Sequence, residues 1–139
     1  MSNTAYEVGT VLPSASYPVT RETLVRYAGA SGDFNVIHWN EREAKAVGLP
    51  DVIAHGNLTM ALGMRYLVEQ LGDPTCVVEY SVRFARPVVV PDDGVGATVT
   101  IEGKVAALED DGIVRIDLTV TSGGQKVLAQ PRARVRPTR

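Results

Sequence analysis

H-G-N-L-T-M-A-L-G-M-R-Y-L-V-E-Q-L-G, residues 55–72, decides the fold. Between Leu58 and Leu71 apolar residues occupy nearly every face of a helix. Only Arg65, Glu69 and Gln70 are charged or strongly polar, and they lie toward the C-terminal end. A helix that is apolar all round is buried all round. In a chain of 139 residues, the length of one domain, a sheet has to curl about it.

The downstream sequence supplies that sheet. V-V-E-Y-S-V-R-F (77–84) sets Val78, Tyr80, Val82 and Phe84 on one face and Glu79, Ser81 and Arg83 on the other. A-T-V-T-I-E-G-K-V-A-A-L (97–108) is a second strand, and Asp110-Asp111-Gly112 turns it into I-V-R-I-D-L-T-V-T (113–121). Ser122-Gly123-Gly124 turns that into Q-K-V-L-A-Q-P-R-A-R-V (125–135). Both turns carry the glycines that tight hairpins use. Pro87 and Pro91 bracket V-V-V, which is expected at a strand edge or bend. These strands read as an antiparallel meander wrapping the apolar helix, in one α+β domain over residues 1–139.

Upstream the signals are helical. Thr20 is an N-cap for R-E-T-L-V-R-Y-A-G, with Leu24, Tyr27 and Ala28 on the buried face. Thr23 at the third helical position predicts less than a full capping box, and Gly29 and Gly32 are expected to stop the helix. Asn40 caps a second short helix, E-R-E-A-K-A-V, closed by Gly48 and Pro50.

Between those helices stands A-S-G-D-F-N-V-I-H-W-N, residues 30–40. It holds one carboxylate, Asp33, and one of two histidines, His38, in an otherwise uncharged run. Gly29 and Gly32 permit a tight path that aims both at one point. Phe34, Val36, Ile37 and Trp39 are expected to form an apolar wall beside them. I-A-H-G (53–56) puts Gly56 at the N-terminus of the long helix, where a free amide and the helix dipole favour an oxygen gaining negative charge. Acid, imidazole and backbone donor together point to chemistry next to a carbonyl, such as that of an acyl thioester. Asp33 and His38 would hold a water or a departing hydroxyl at the β-carbon, and one of them would move the α-proton. His55 is expected to be a structural neighbour of the helix cap.

Y-A-G-A-S-G-D-F-N-V-I-H-W-N followed by G-L-P-D-V-I-A-H-G-N-L-T-M resembles the MaoC-like (R)-specific enoyl hydratase/dehydratase family, from about Tyr17 to Val135. Within it, the T-R-x-x-L-V-x-Y-A-G-x-S-G-D opening, the V-x-E-Y-x-V-R-F strand and the T-S-G-G-Q-K turn are similar to the B subunit of (3R)-hydroxyacyl-acyl-carrier-protein dehydratases. The resemblance implies a hot-dog fold and reversible hydration of trans-2-enoyl thioesters of coenzyme A or acyl carrier protein, with no cofactor and no metal. It implies that Asp33 and His38 are the catalytic dyad, that Asn35 positions the loop or the water, and that the Gly56 amide binds the thioester oxygen. The family's D-F-N-P-I-H carries Val36 here in place of proline, and its A-H-G-M carries Asn57 in place of methionine. A serine of some bacterial hydratases falls at Met64 and is not carried over.

A single such domain leaves an open sheet edge and half a groove, so a dimer is expected: a homodimer, or a heterodimer with a related hot-dog subunit. The rival readings are a hot-dog thioesterase and a non-catalytic acyl-binding partner subunit. The arginines of P-R-A-R-V-R-P-T-R read first as a solvated strand edge. Their second reading is a phosphate patch of Arg132, Arg134 and Arg136, with Arg139 beyond and Arg83 and Arg86 as further candidates. A net charge of −2 gives no reason to expect nucleic acid or an anionic membrane. The single cysteine, Cys76, suits a reducing compartment and a buried site. No signal peptide is evident in M-S-N-T-A-Y-E-V-G-T, so a cytoplasmic location is expected.

Overall fold

Backbone pairing gathers the strands into a single six-stranded antiparallel sheet. The computed structural model describes residues 6–138; Arg139 and the first half of the opening stretch, residues 1–5, lie outside them. The strands are β1 (Ala15–Val19), β2 (Val77–Phe84), β3 (Ala97–Leu108), β4 (Val114–Ser122), β5 (Gln125–Lys126) and β6 (Leu128–Val135). The helices are α1 (Arg21–Ser31), α2 (Glu41–Ala46) and α3 (Gly56–Leu71). The order across the sheet is β1-β3-β4-β6-β2, with β5 paired to β4. Only β3-β4-β6 is the expected meander. β2 joins β6 at one edge, and β1, unforeseen in the sequence, joins β3 at the other.

Helix α3 packs on the inner face of this sheet, the hot-dog arrangement. Leu58, Leu62, Tyr66 and Leu67 bury against Val99, Ile101 and Val105 of β3 and Ile116, Leu118 and Val120 of β4. Each such side chain, fully buried, favours the fold by roughly 1.5–3 kcal/mol. The Tyr66 hydroxyl donates to the Pro13 carbonyl at 2.7 Å and accepts from the Gly103 amide at 2.9 Å, pinning helix to sheet. Gly63 lets the outer strand come close: a Cβ there would land on the Tyr80 hydroxyl, which donates to the Met60 carbonyl at 2.8 Å. The helix is not buried all round, however. Asn57, Ala61, Arg65 and Glu69 form an exposed stripe at a spacing of four residues, because the sheet covers one side only.

Other local expectations shift for physical reasons. The Thr20 hydroxyl accepts from the Thr23 amide while the Thr23 hydroxyl accepts from the Thr20 amide, so a full capping box forms with threonine in the usual glutamate place. Helix α1 runs through Gly29 and stops only at Gly32, whose φ of 76° is left-handed. The V-V-V segment pairs with residues 52–54 rather than with the sheet: the Ala54 amide donates to Val88 and the Val90 amide to Val52. The last strand breaks at Val127 into β5 and β6. Two register shifts interrupt β2, so its alternation fails: Tyr80 and Val82 are half-buried, while Val78 and Phe84 are exposed. Cys76 is a buried free thiol, as expected. No described helix is long and apolar enough to cross a membrane.

Candidate active site

Local hydrogen bonding shapes the Gly32–Trp39 loop. The Asp33 carboxylate accepts from the Asn35 amide at 3.1 Å, and the Asn35 side chain accepts from the Ile37 amide at 3.3 Å. These successive Asx turns feed a 3₁₀ turn over Val36–His38. The Trp39 indole N–H closes the loop onto the Phe34 carbonyl at 2.9 Å. Asn35 is therefore a residue that shapes the loop.

His38 is buried, and its Nδ1 lies 2.7 Å from the Ile53 carbonyl. A carbonyl only accepts, so Nδ1 carries the proton in this bond and Nε2 is the ring nitrogen left without that partner. An atom of the Asp33 carboxylate and ring nitrogens of His38 and His55 all lie within 4.8 Å of one another. Asp33 itself is exposed. The two imidazoles stack, with centroids 3.8 Å apart and planes 21° from parallel. Lone pairs of stacked rings run side by side rather than converging, and a tetrahedral cation needs them to converge at about 2 Å. The trio is thus poorly shaped for a metal.

Gly56 is the first residue of α3, where amides lack an intrahelical acceptor and the helix dipole is positive. It lines a cavity of about 300 Å³ together with His38 and Thr59. The walls are Ile53, Ala54, Phe84, Pro87, Val88, Val127 and Leu128, and Arg86 stands among them. A Cβ on Gly56 would meet the Phe84 ring at 3.0–3.2 Å, so glycine keeps this end of the cavity open. The apolar wall expected from the loop is not there: Phe34, Val36 and Trp39 are exposed, as are Asp33 and Asn35, and His38 is the loop residue that lines the cavity. Sheet and loop residues distant in sequence supply the wall instead.

A cavity residue escapes the sequence reading. Thr59, one turn beyond Gly56, is a buried polar side chain on the cavity wall; its hydroxyl between the apolar Leu58 and Met60 was the available signal. His55, expected beside the helix cap, occupies the N-cap position itself and makes no side-chain cap bond. Its Nε2 lies 3.1 Å from the Asp33 carbonyl, its face is on His38, and the Tyr27 ring meets it edge-on at 4.7 Å. Burial holds its ring below the ordinary imidazole value, against the pull of the Asp33 carbonyl.

The arginines distribute unequally. Arg134 is held by Glu109 at 2.9 Å and Glu79 at 3.1 Å. The Arg136 guanidinium donates to the Asp111 carbonyl at 3.4 Å. Arg132 is exposed beside a separate hollow, Arg83 is exposed on β2, and Arg86 reaches the cavity that holds Gly56.

Residues 4–122 match the family model described as "MaoC like domain". The chain is 43% identical over 79 residues to "3-hydroxyacyl-thioester dehydratase X" of Mycobacterium tuberculosis, covering 57% of this chain and 27% of that protein. Among solved structures it superposes on a "MaoC-like dehydratase" with TM-score 0.91 and 39% identity, over 96% of this chain and 41% of that one. On the (R)-hydratase from A. caviae involved in PHA biosynthesis the TM-score is 0.83 at 27% identity, over 97% and 99% of the two chains. The chain therefore spans well under half the length of the first two of these relatives.

Proposed function

The chain belongs to the MaoC-like domain family, and on that premise we propose that it hydrates trans-2-enoyl thioesters and, in reverse, dehydrates (3R)-hydroxyacyl thioesters of coenzyme A or acyl carrier protein. One observation carries this reading: an acid–imidazole pair lies beside a helix-end glycine that shares a cavity with the imidazole. The thioester carbonyl accepts from the Gly56 amide, which draws charge away from the double bond. A water held between the Asp33 carboxylate and His38 Nε2 gives up a proton as its oxygen bonds to the β-carbon. The electron pair of the double bond moves toward the α-carbon and the carbonyl oxygen, and the α-carbon takes a proton from the dyad. Dehydration reverses each step. Which of the two residues serves the α-carbon is left to the pH profile.

Arg86 is the phosphate contact best supported by position, since it alone of the candidate arginines borders this cavity. A dimer is supported by β2, an edge strand that pairs only with β6 among the described residues and exposes Val78 and Phe84. An identical partner is the reading we adopt, with a related hot-dog subunit as its rival; light scattering on the chain expressed alone distinguishes them. The function is tested by following enoyl absorbance with enoyl-coenzyme A of increasing length while monitoring free thiol. Loss of absorbance without thiol release is expected. Thiol release alone makes the chain a thioesterase, and neither signal makes it a silent acyl-binding subunit.

A further inference from the structure

The His55 side chain touches both the Asp33 carbonyl and the His38 ring, and His55 immediately precedes Gly56 in sequence. Its place at the start of α3 normally goes to Ser, Thr, Asp or Asn, which cap the helix. His55 makes no cap bond; its ring bonds the Asp33 carbonyl and stacks on His38 instead. The ring is 1% exposed, bonds the Asp33 carbonyl at 3.1 Å, and lies on His38 at 3.8 Å. We infer that His55 is a positioning residue that holds the Asp33 loop and the His38 plane in register with the Gly56 amide, by a hydrogen bond on one side and a ring stack on the other.

The partners fix its chemistry. Asp33 contributes a carbonyl oxygen, so Nε2 of His55 must be the donor. Its Nδ1 is buried with no hydrogen-bond partner among the described residues, so a second proton there would find no acceptor. The groups facing the ring are Tyr27 from α1, His38 from the 3₁₀ turn and Asp33 from the loop. Burial, with His38 adding to it, disfavours a charge on His55. A neutral, fixed ring puts no second positive charge against the face of His38.

This inference rests on the proposed hydratase reading, but its first test does not need activity. The chain has two histidines, so long-range ¹⁵N–¹H correlation of the imidazoles is unambiguous once one is replaced. The expected spectrum has His55 as the Nε2–H tautomer, still neutral below the ordinary value of about 6.5, and His38 as the Nδ1–H tautomer. An Nδ1–H tautomer for His55, or titration near 6.5, overturns the inference. In activity, His55→Gln keeps a donor and loses the stack, while His55→Phe keeps a stack and loses the donor. Each is expected to lower kcat by about 10²-fold with KM little changed, the cost of a misplacement near 1 Å. Each is also expected to move the acid limb of the pH profile. A residue that merely supports the fold would lower thermal stability and leave that limb in place. Folded variants with wild-type kcat overturn the inference; if neither variant folds, the wild-type tautomers decide. A wild type without hydratase activity counts against the proposed function, whatever the tautomers are.

Discussion

The sheet from β3 to β6 and the segment from Gly32 to Gly56 satisfy their backbones in different ways. The strands use ladder bonds and hide Val99, Ile101, Ile116 and Val120 between sheet and helix. The segment adds side chains to its local main-chain bonds: Asp33, Asn35, His38, Trp39, Asn40 and His55 each bond a main-chain group. In the sheet, side chains carry stability and no chemistry. In the segment, His38 both helps to shape the loop and lines the cavity, and an Asp33 carboxylate oxygen lies within 4.8 Å of its ring. Changes in the segment should therefore cost rate, and changes in the sheet should cost stability.

The sharpest separation is expected for Asp33→Asn. The amide oxygen still accepts from the Asn35 amide, so the loop persists while the carboxylate charge is lost. We expect kcat to fall about 10²–10⁴-fold, with an unchanged melting temperature by circular dichroism. A joint loss of rate and stability would break the comparison. Ile116→Ala is its mirror image. Urea unfolding should show a loss of about 2–5 kcal/mol from a fully buried site, and kcat per folded molecule should hold.

Arg86→Ala should raise KM for a coenzyme A thioester about tenfold, the scale of one hydrogen bond to a charged group. Arg134→Ala should not, since Glu79 and Glu109 already occupy that guanidinium. The smallest effect belongs to the edge strand β1. Burial, and donation to Glu69 at 2.6 Å, push the Tyr17 hydroxyl up to about 12 from 10.0. A raised value means the fold prefers the protonated phenol. That stability is full below pH 10.0 and drains as pH climbs toward about 12. The melting temperature should fall across this window, and less steeply in Tyr17→Phe; an identical slope would remove Tyr17 from the alkaline limb.

The sequence is most readable where neighbours along the chain decide the outcome. Apolar crowding from Leu58 to Leu71 announces α3, and glycine after Asp111 announces the β3–β4 turn. The nearness of Asp33 to His38 follows from one short loop. What hides is non-local. The place of β2 beside β6, the pairing of Val88 and Val90 with Val52 and Ala54, and the stack of His55 on His38 join residues with no shared periodicity. The exposed stripe of α3 hides for a related reason: Ala61 is as apolar in sequence as Leu62, and only the side from which the sheet approaches separates them.

The central claim, that Asp33, His38 and Gly56 act together on one thioester, meets its most direct test in ¹⁸O-labelled water. Mass spectrometry of the product from crotonyl-coenzyme A should show an intact thioester carrying the label on the β-hydroxyl, with almost none formed by Asp33→Asn over the same time. Label in a free carboxylate, or equal labelling of the β-hydroxyl by Asp33→Asn, would contradict it.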